Sequence, residues 1–144
     1  MHESLQSPGE TLASISNGLV KLHTRYYGKG PTKAKSYLID DTVICLLEEG
    51  FTTVERTLIE DGRSGAVHDI RRTFQAAMQE QFTQVVEEAM GRKVIAYLSQ
   101  VHVDPDLAAE LFVLESSSDR EERERAEVTA EDPTATVSVM DLSD

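Results

Sequence analysis

Between Lys21 and Lys35 the chain places Lys21, Arg25, Lys29, Lys33 and Lys35 within fifteen residues that contain no acid. The whole chain has a net charge of -12, so this segment stands apart from its surroundings. Its centre is Gly28-Lys29-Gly30-Pro31-Thr32-Lys33. Glycines let backbone N–H groups turn toward an anion, and lysines supply the charge that attracts one. The chemistry to expect is the binding of a small anion or a nucleotide phosphate at loop 28–35, with Arg25, Tyr27, Lys29, Gly30, Thr32, Lys33 and Lys35 as the binding residues. The order helix, loop, strand is the reverse of a P-loop, and the helix turns its negative pole to the loop, so nucleotide hydrolysis is not expected. The plainer alternative is a solvated turn whose lysines offset that pole.

The remaining candidates are weaker. His102, Asp104 and Asp106 have the spacing of a metal-loop fragment, but a metal needs three or four converging ligands, and Asp104-Pro105-Asp106 is ordinary turn chemistry. Cys45 lies in the apolar run Val43–Leu47, which marks a buried small side chain. His23 and His68 fall beside helical apolar stripes and read as boundary residues. Arg71-Arg72 and Arg92-Lys93 read as solvated or paired with the many acids, and Glu87-Glu88 has no base or apolar pocket to make it an acid–base pair. No catalytic residue, metal or cofactor is expected, and the chain is not read as an enzyme.

The elements that would position these residues are legible. Ser7-Pro8-Gly9-Glu10 is a capping box with Pro at the first helical position, and Leu12, Ile15, Leu19, Leu22 and Tyr26 form one stripe of a helix over 8–27 that stops at Gly28. Strands over 35–39 and 42–48 flank Asp40-Asp41, a tight hairpin. The second strand is apolar on both faces and should lie centrally, ending at Gly50. Thr52 and Glu55 form a second capping box, opening a short helix that stops at Asp61-Gly62. Ser64 is then the expected cap of a long helix to Met90, with a stripe of Val67, Ile70, Phe74, Met78, Phe82, Val85 or Val86, and Ala89. Strands over 93–101, with Val94, Ala96 and Leu98 on one side, and over 109–114 complete the domain.

This order, α-β-β-α-α-β-β, predicts an α+β fold: a four-stranded antiparallel sheet with helices on one face. The other face needs a cover, and a homodimer would supply one. The ordered domain is expected over 1–115 and a disordered acidic tail over 116–144. From Glu115 onward there are ten acids and three bases with few large apolar residues, a composition that does not bury enough surface to offset ordering. The net negative charge argues against nucleic acid as a partner. With one cysteine, no secretory leader at Met1-His2-Glu3-Ser4 and no long apolar run, a cytoplasmic location is expected.

Several stretches carry a family resemblance: Ile15-Ser16-Asn17, Tyr26 to Lys35 with its Gly-Lys-Gly-Pro-Thr-Lys piece, Thr53 to Leu58, Arg71 to Gln75, Gly91 to Ala96, His102 to Asp106 and Glu110 to Leu114. Residues 11–115 resemble the bacterial MpsC-like family, formerly a domain of unknown function, linked to a sodium-translocating, membrane-potential-generating system. The resemblance implies an accessory or regulatory role beside a membrane ion or inorganic-carbon transport system, with a membrane-protein complex as partner. It assigns no catalytic residues.

Overall fold

A computed structural model of the protein describes residues 6–131. The chain divides into two compact units, Met1–Leu114 and Glu115–Asp144. The first unit runs α1 (Pro8–Tyr27), β1 (Lys33–Ile39), β2 (Thr42–Glu48), α2 (Thr53–Glu60), α3 (Ser64–Met90), β3 (Val94–His102) and β4 (Leu107–Leu114). The strands form one antiparallel sheet in the order β1-β2-β4-β3, so β2 is central, as its two apolar faces require.

Both capping boxes form. Ser7 and Glu10 bond each other's backbone N–H groups, as do Thr52 and Glu55. Gly28 ends α1 in the left-handed conformation, with its N–H on the Thr24 carbonyl. The start of α3 differs from expectation: Arg63, not Ser64, occupies the cap position and makes no side-chain capping bond. β2 runs over Thr42–Glu48 as expected, and Glu49 takes the left-handed turn that follows it, at φ 59°.

One sheet face carries the helices. Val43, Cys45 and Leu47 of β2 and Phe112 and Leu114 of β4 point inward and pack with Ile15 and Leu19 of α1 and Met78, Phe82 and Val86 of α3. α1 and α3 approach closely at Gly18, where a Cβ would lie 2.7 Å from a Val85 methyl. A smaller cluster, Phe51, Val67 and Val101, closes the other end of the core. In β3 a register shift between Val94 and Ala96 breaks the expected alternation. Val94 packs on the core, Ile95 stands out into solvent, and Ala96 and Leu98 take the helix-free face. The extra residue of a β-bulge is what flips the pattern.

In the second unit, Ser117–Glu131 form helix α4, which includes the arginine-containing piece 119–127 whose charge spacing suits a helix within the acidic tail expected over 116–144. Its stability is local. The Ser116 hydroxyl accepts the Asp119 N–H, and Arg123 bonds Glu115 at 2.9 and 3.0 Å and Glu127 at 3.0 Å. Charge pairs at four-residue spacing support a helix that has no apolar stripe. The part of the expected tail over 132–144 lies outside the described residues.

Candidate functional site

The basic segment is divided by the elements that carry it. Arg25 lies on the exposed side of α1, with its guanidinium 5.2 Å from the Tyr26 ring centre. Tyr27 turns the other way, into the domain. Gly30 brings the loop against the last turn of α1, where an added Cβ would collide with the Thr24 hydroxyl. Lys29 Nζ donates to the Glu49 carbonyl, and the Thr32 hydroxyl donates to the Glu49 carboxylate. Glu49 thus ties the centre of the loop through its carbonyl and its carboxylate. Lys33 and Lys35 follow on β1 and, being two apart, project together from the helix-free sheet face. Lys35 stands 5.5 Å from the Tyr37 ring centre. The structure therefore brings Lys29, Thr32 and Glu49 together, and Lys33 and Lys35 together, while Arg25 and Tyr27 diverge.

The polar centre of the fold lies inside, around Arg71. Only 3% of this arginine is exposed. Its Nε and Nη2 contact the two Glu55 oxygens at 2.6 and 2.7 Å, and Nη2 also donates to the Gly50 carbonyl at 2.9 Å. Its guanidinium stacks 3.9 Å from the Tyr27 ring centre and 5.3 Å from that of Phe51. The Asp106 carboxylate accepts the N–H groups of Gly50 and Phe51, so the β3–β4 turn is fastened to the same corner. His23 stacks on Phe82 and Tyr27, and its Nδ1 meets the Leu19 carbonyl at 2.8 Å. Burial lowers its proton affinity despite that carbonyl. The Arg71 guanidinium of α3 thus holds one residue each of α1 and α2 and the Gly50–Phe51 loop, and Asp106 ties the β3–β4 turn to that loop.

Burial works against both charges of this pair, but each stabilises the other. Glu55 ends below the usual carboxylate range and Arg71 above its ordinary value. Glu110 on β4 is a different case. It is 1% exposed and accepts hydrogen bonds from Tyr97, at 2.6 Å, and from Ser99. Burial pushes its carboxyl up to about 7, against the pull of Ser99, Tyr97 and Arg71. Tyr97 is itself raised, first by burial and then by Glu110. Cys45 is fully buried, and burial raises its thiol against the hydroxyls of Ser36 and Ser16, which pair with each other at 2.7 Å.

Arg71 is paired with an acid, as its sequence context allowed, but its burial was not expected. Ile70, assigned to the stripe, is 49% exposed, and Arg71 takes the inward position between Val67 and Met78. The signal was its spacing of four from Val67 and three from Phe74. Arg72 is solvated, with Asp69 at 3.4 Å. Asp106 is more than a turn residue, since it caps the Gly50 corner, while His102 closes the turn itself by meeting the Pro105 carbonyl at 2.9 Å. Among the described residues no group of three or more His, Cys, Asp or Glu side chains is placed to hold a metal.

Fold and interior together define an α+β domain: an antiparallel sheet with helices on one face and an arginine-centred polar lock in the core. Residues 7–116 match the family model described as "Na+-translocating membrane potential-generating system (MpsC)", and the chain belongs to that family. No curated protein and no solved structure matches the chain. Among the described residues no helix is long and apolar enough to cross a membrane.

Proposed function

We propose that the protein is a cytoplasmic, non-enzymatic accessory or regulatory component of a membrane ion-translocating system, acting as a homodimer. The family description supplies the membrane system. The observation that carries the mode of action is the helix-free sheet face. Tyr37 and Ile39 of β1, Ile44 and Leu46 of β2, Leu111 and Val113 of β4 and Leu98 of β3 lie on it in adjacent register. Ile39 and Leu98 are more than half exposed. Charge on these central positions is absent, while Lys33, Lys35 and Glu48 gather at one end. A contiguous apolar sheet face of this kind marks an interaction surface. A second copy brings an identical apolar face, and the two acidic domains then meet over its uncharged centre. The polar residues that resemble catalytic groups are engaged internally, which supports a binding role: Glu110 by Tyr97 and Ser99, His23 by Leu19.

Sedimentation equilibrium tests the dimer. The wild type should sediment as a dimer and Leu98→Glu as a folded monomer, since Leu98 already meets water. A monomeric wild type removes this use of the face. Affinity purification from native membranes tests the partner, and recovery of no ion-translocating membrane protein would sink the accessory role.

A further inference from the structure

A separate concavity of about 200 Å3 opens between α3 and β3. Four of its lining residues, His68, Arg71, Arg72 and Gln75, are at i, i+3, i+4 and i+7 of α3 and so share one helix face. Ser99 and Val101 of β3 face them. The wall therefore combines two guanidiniums and an imidazole with the Gln75 amide. The domain's net negative charge makes that grouping unusual for its surface.

Arg71 makes this a built site. It is almost wholly buried, and its plane is fixed by Glu55 on one edge and by the Tyr27 and Phe51 rings on its faces. Glu55 and Gly50 engage Nε and Nη2, and neither engages Nη1. A guanidinium held this way binds an oxyanion at little ordering cost. Among the described residues Arg72 is held only by Asp69, at 3.4 Å with both side chains about three-quarters exposed. Such a pair is weak and yields readily to a better-placed anion.

We propose that the α3–β3 cleft binds a small oxyanion, a short carboxylate or an inorganic anion of similar size, held by Arg71 and Arg72 with His68 and Gln75 around it. The volume sets the ligand class. Sites for drug-sized molecules occupy roughly 300–1,000 Å3, so this cleft takes an anion of a few heavy atoms and excludes a nucleotide. The site is distinct from loop 28–35, where Glu49 already accepts from Lys29 and Thr32.

The test is an NMR titration of the full-length 15N-labelled chain with acetate and, separately, inorganic phosphate, at constant ionic strength set by chloride. Saturable changes in peak position are expected at amides 68–75 and 99–101. Acetate or phosphate alone saturating there identifies which source of the oxyanion the cleft prefers, and either supports the site. Arg72→Gln and His68→Ala alter partly or fully exposed side chains, so they keep the fold, and each should weaken binding, the arginine change by about tenfold. Three results overturn the proposal: a linear, unsaturating response at these amides, saturation at 29–35 in their place, or affinity unchanged in both variants.

Discussion

Two glutamates are buried to the same degree and hold their protons oppositely. Glu55 is 3% exposed and Glu110 1%. Burial disfavours the charged form of each. Glu55 meets a guanidinium at 2.6 and 2.7 Å and the Thr52 N–H at 2.8 Å, and it ends below the usual carboxylate range. Glu110 meets only the hydroxyls of Tyr97 and Ser99, with Arg71 acting through space, and burial lifts it to about 7. Loss of solvent contact alone therefore does not set the protonation state. What decides it is whether the partner carries a full opposite charge in contact.

The largest break in this contrast comes from Arg71→Leu. It leaves Glu55 buried without a counter-charge, and removing one partner of such a pair costs about 3–5 kcal/mol. That is a large share of the ~5–15 kcal/mol that holds an ordinary domain together. Glu55 should then behave as Glu110 does, with its carboxyl raised, so the variant should recover stability as pH falls toward 5. Urea denaturation at pH 8 and pH 5 measures both effects. A loss under about 1 kcal/mol at pH 8 would show that the guanidinium is not what keeps Glu55 charged.

Next in size is Glu110→Gln. The wild-type carboxyl titrates at about 7 in the fold, against 4.5 for an ordinary glutamate. Between those pH values the native state keeps a proton that the unfolded chain has released. Its contribution is therefore complete below about 4.5 and lost as pH rises through 7. Glutamine removes the charge and keeps the shape, so the variant should be more stable at pH 8 by about 1–3 kcal/mol, the scale set by roughly 1.4 kcal/mol for each pH unit between the two titration points. Near pH 4 the two proteins should converge. Chemical denaturation across pH 4–8 reads the slope, and equal slopes would refute the assignment.

The sequence made one of these glutamates legible and hid the other. Glu55 stood out as the third residue of a capping box, because the Thr52 spacing is local chemistry. Its second role with Arg71 depends on α2 and α3 folding against each other, which no local pattern encodes. Glu110 sits in an apolar strand, and only the alternation of β4 aims it inward beside Phe112 and Leu114. The element order and the central place of β2 were readable because hydrophobic period and turn residues are local. The bulge at Ile95 was not, since one inserted residue leaves composition unchanged and reverses the faces. The lysine-rich segment was the most visible feature of the chain. Strand alternation and the left-handed turn at Glu49 then distributed it, because closeness in sequence fixes neither side-chain direction nor partner.

Tyr97→Phe sharpens the contrast more gently. It deletes one of the two hydroxyl donors to Glu110. A hydrogen bond to a charged group is worth more than one to a neutral group. The variant should therefore lose about 1–2 kcal/mol at pH 8, where Glu110 is ionised, and less at pH 5, where it holds its proton. Glu110 itself should titrate higher than in the wild type. A loss that is the same at both pH values would mean that the carboxyl does not change state between them.

The smallest effect is expected at Lys29, where the same kind of cation is placed at the surface. Lys29 Nζ donates to the Glu49 carbonyl and not to a buried carboxylate. Water can replace the ammonium at that oxygen, and the long side chain regains rotamer freedom when released. Lys29→Ala should cost no more than about 0.5 kcal/mol, and raising the salt concentration should shrink even that. Arg71→Leu should be much less sensitive to salt, because the Arg71–Glu55 contact it removes lies between two almost wholly buried side chains and is screened far less than a surface pair. Measuring both variants at low and high salt separates a cation that organises the fold from one that decorates it. A salt-resistant loss at Lys29 of the size expected for Arg71 would place the basic loop, and not the interior, at the centre of the domain's electrostatics.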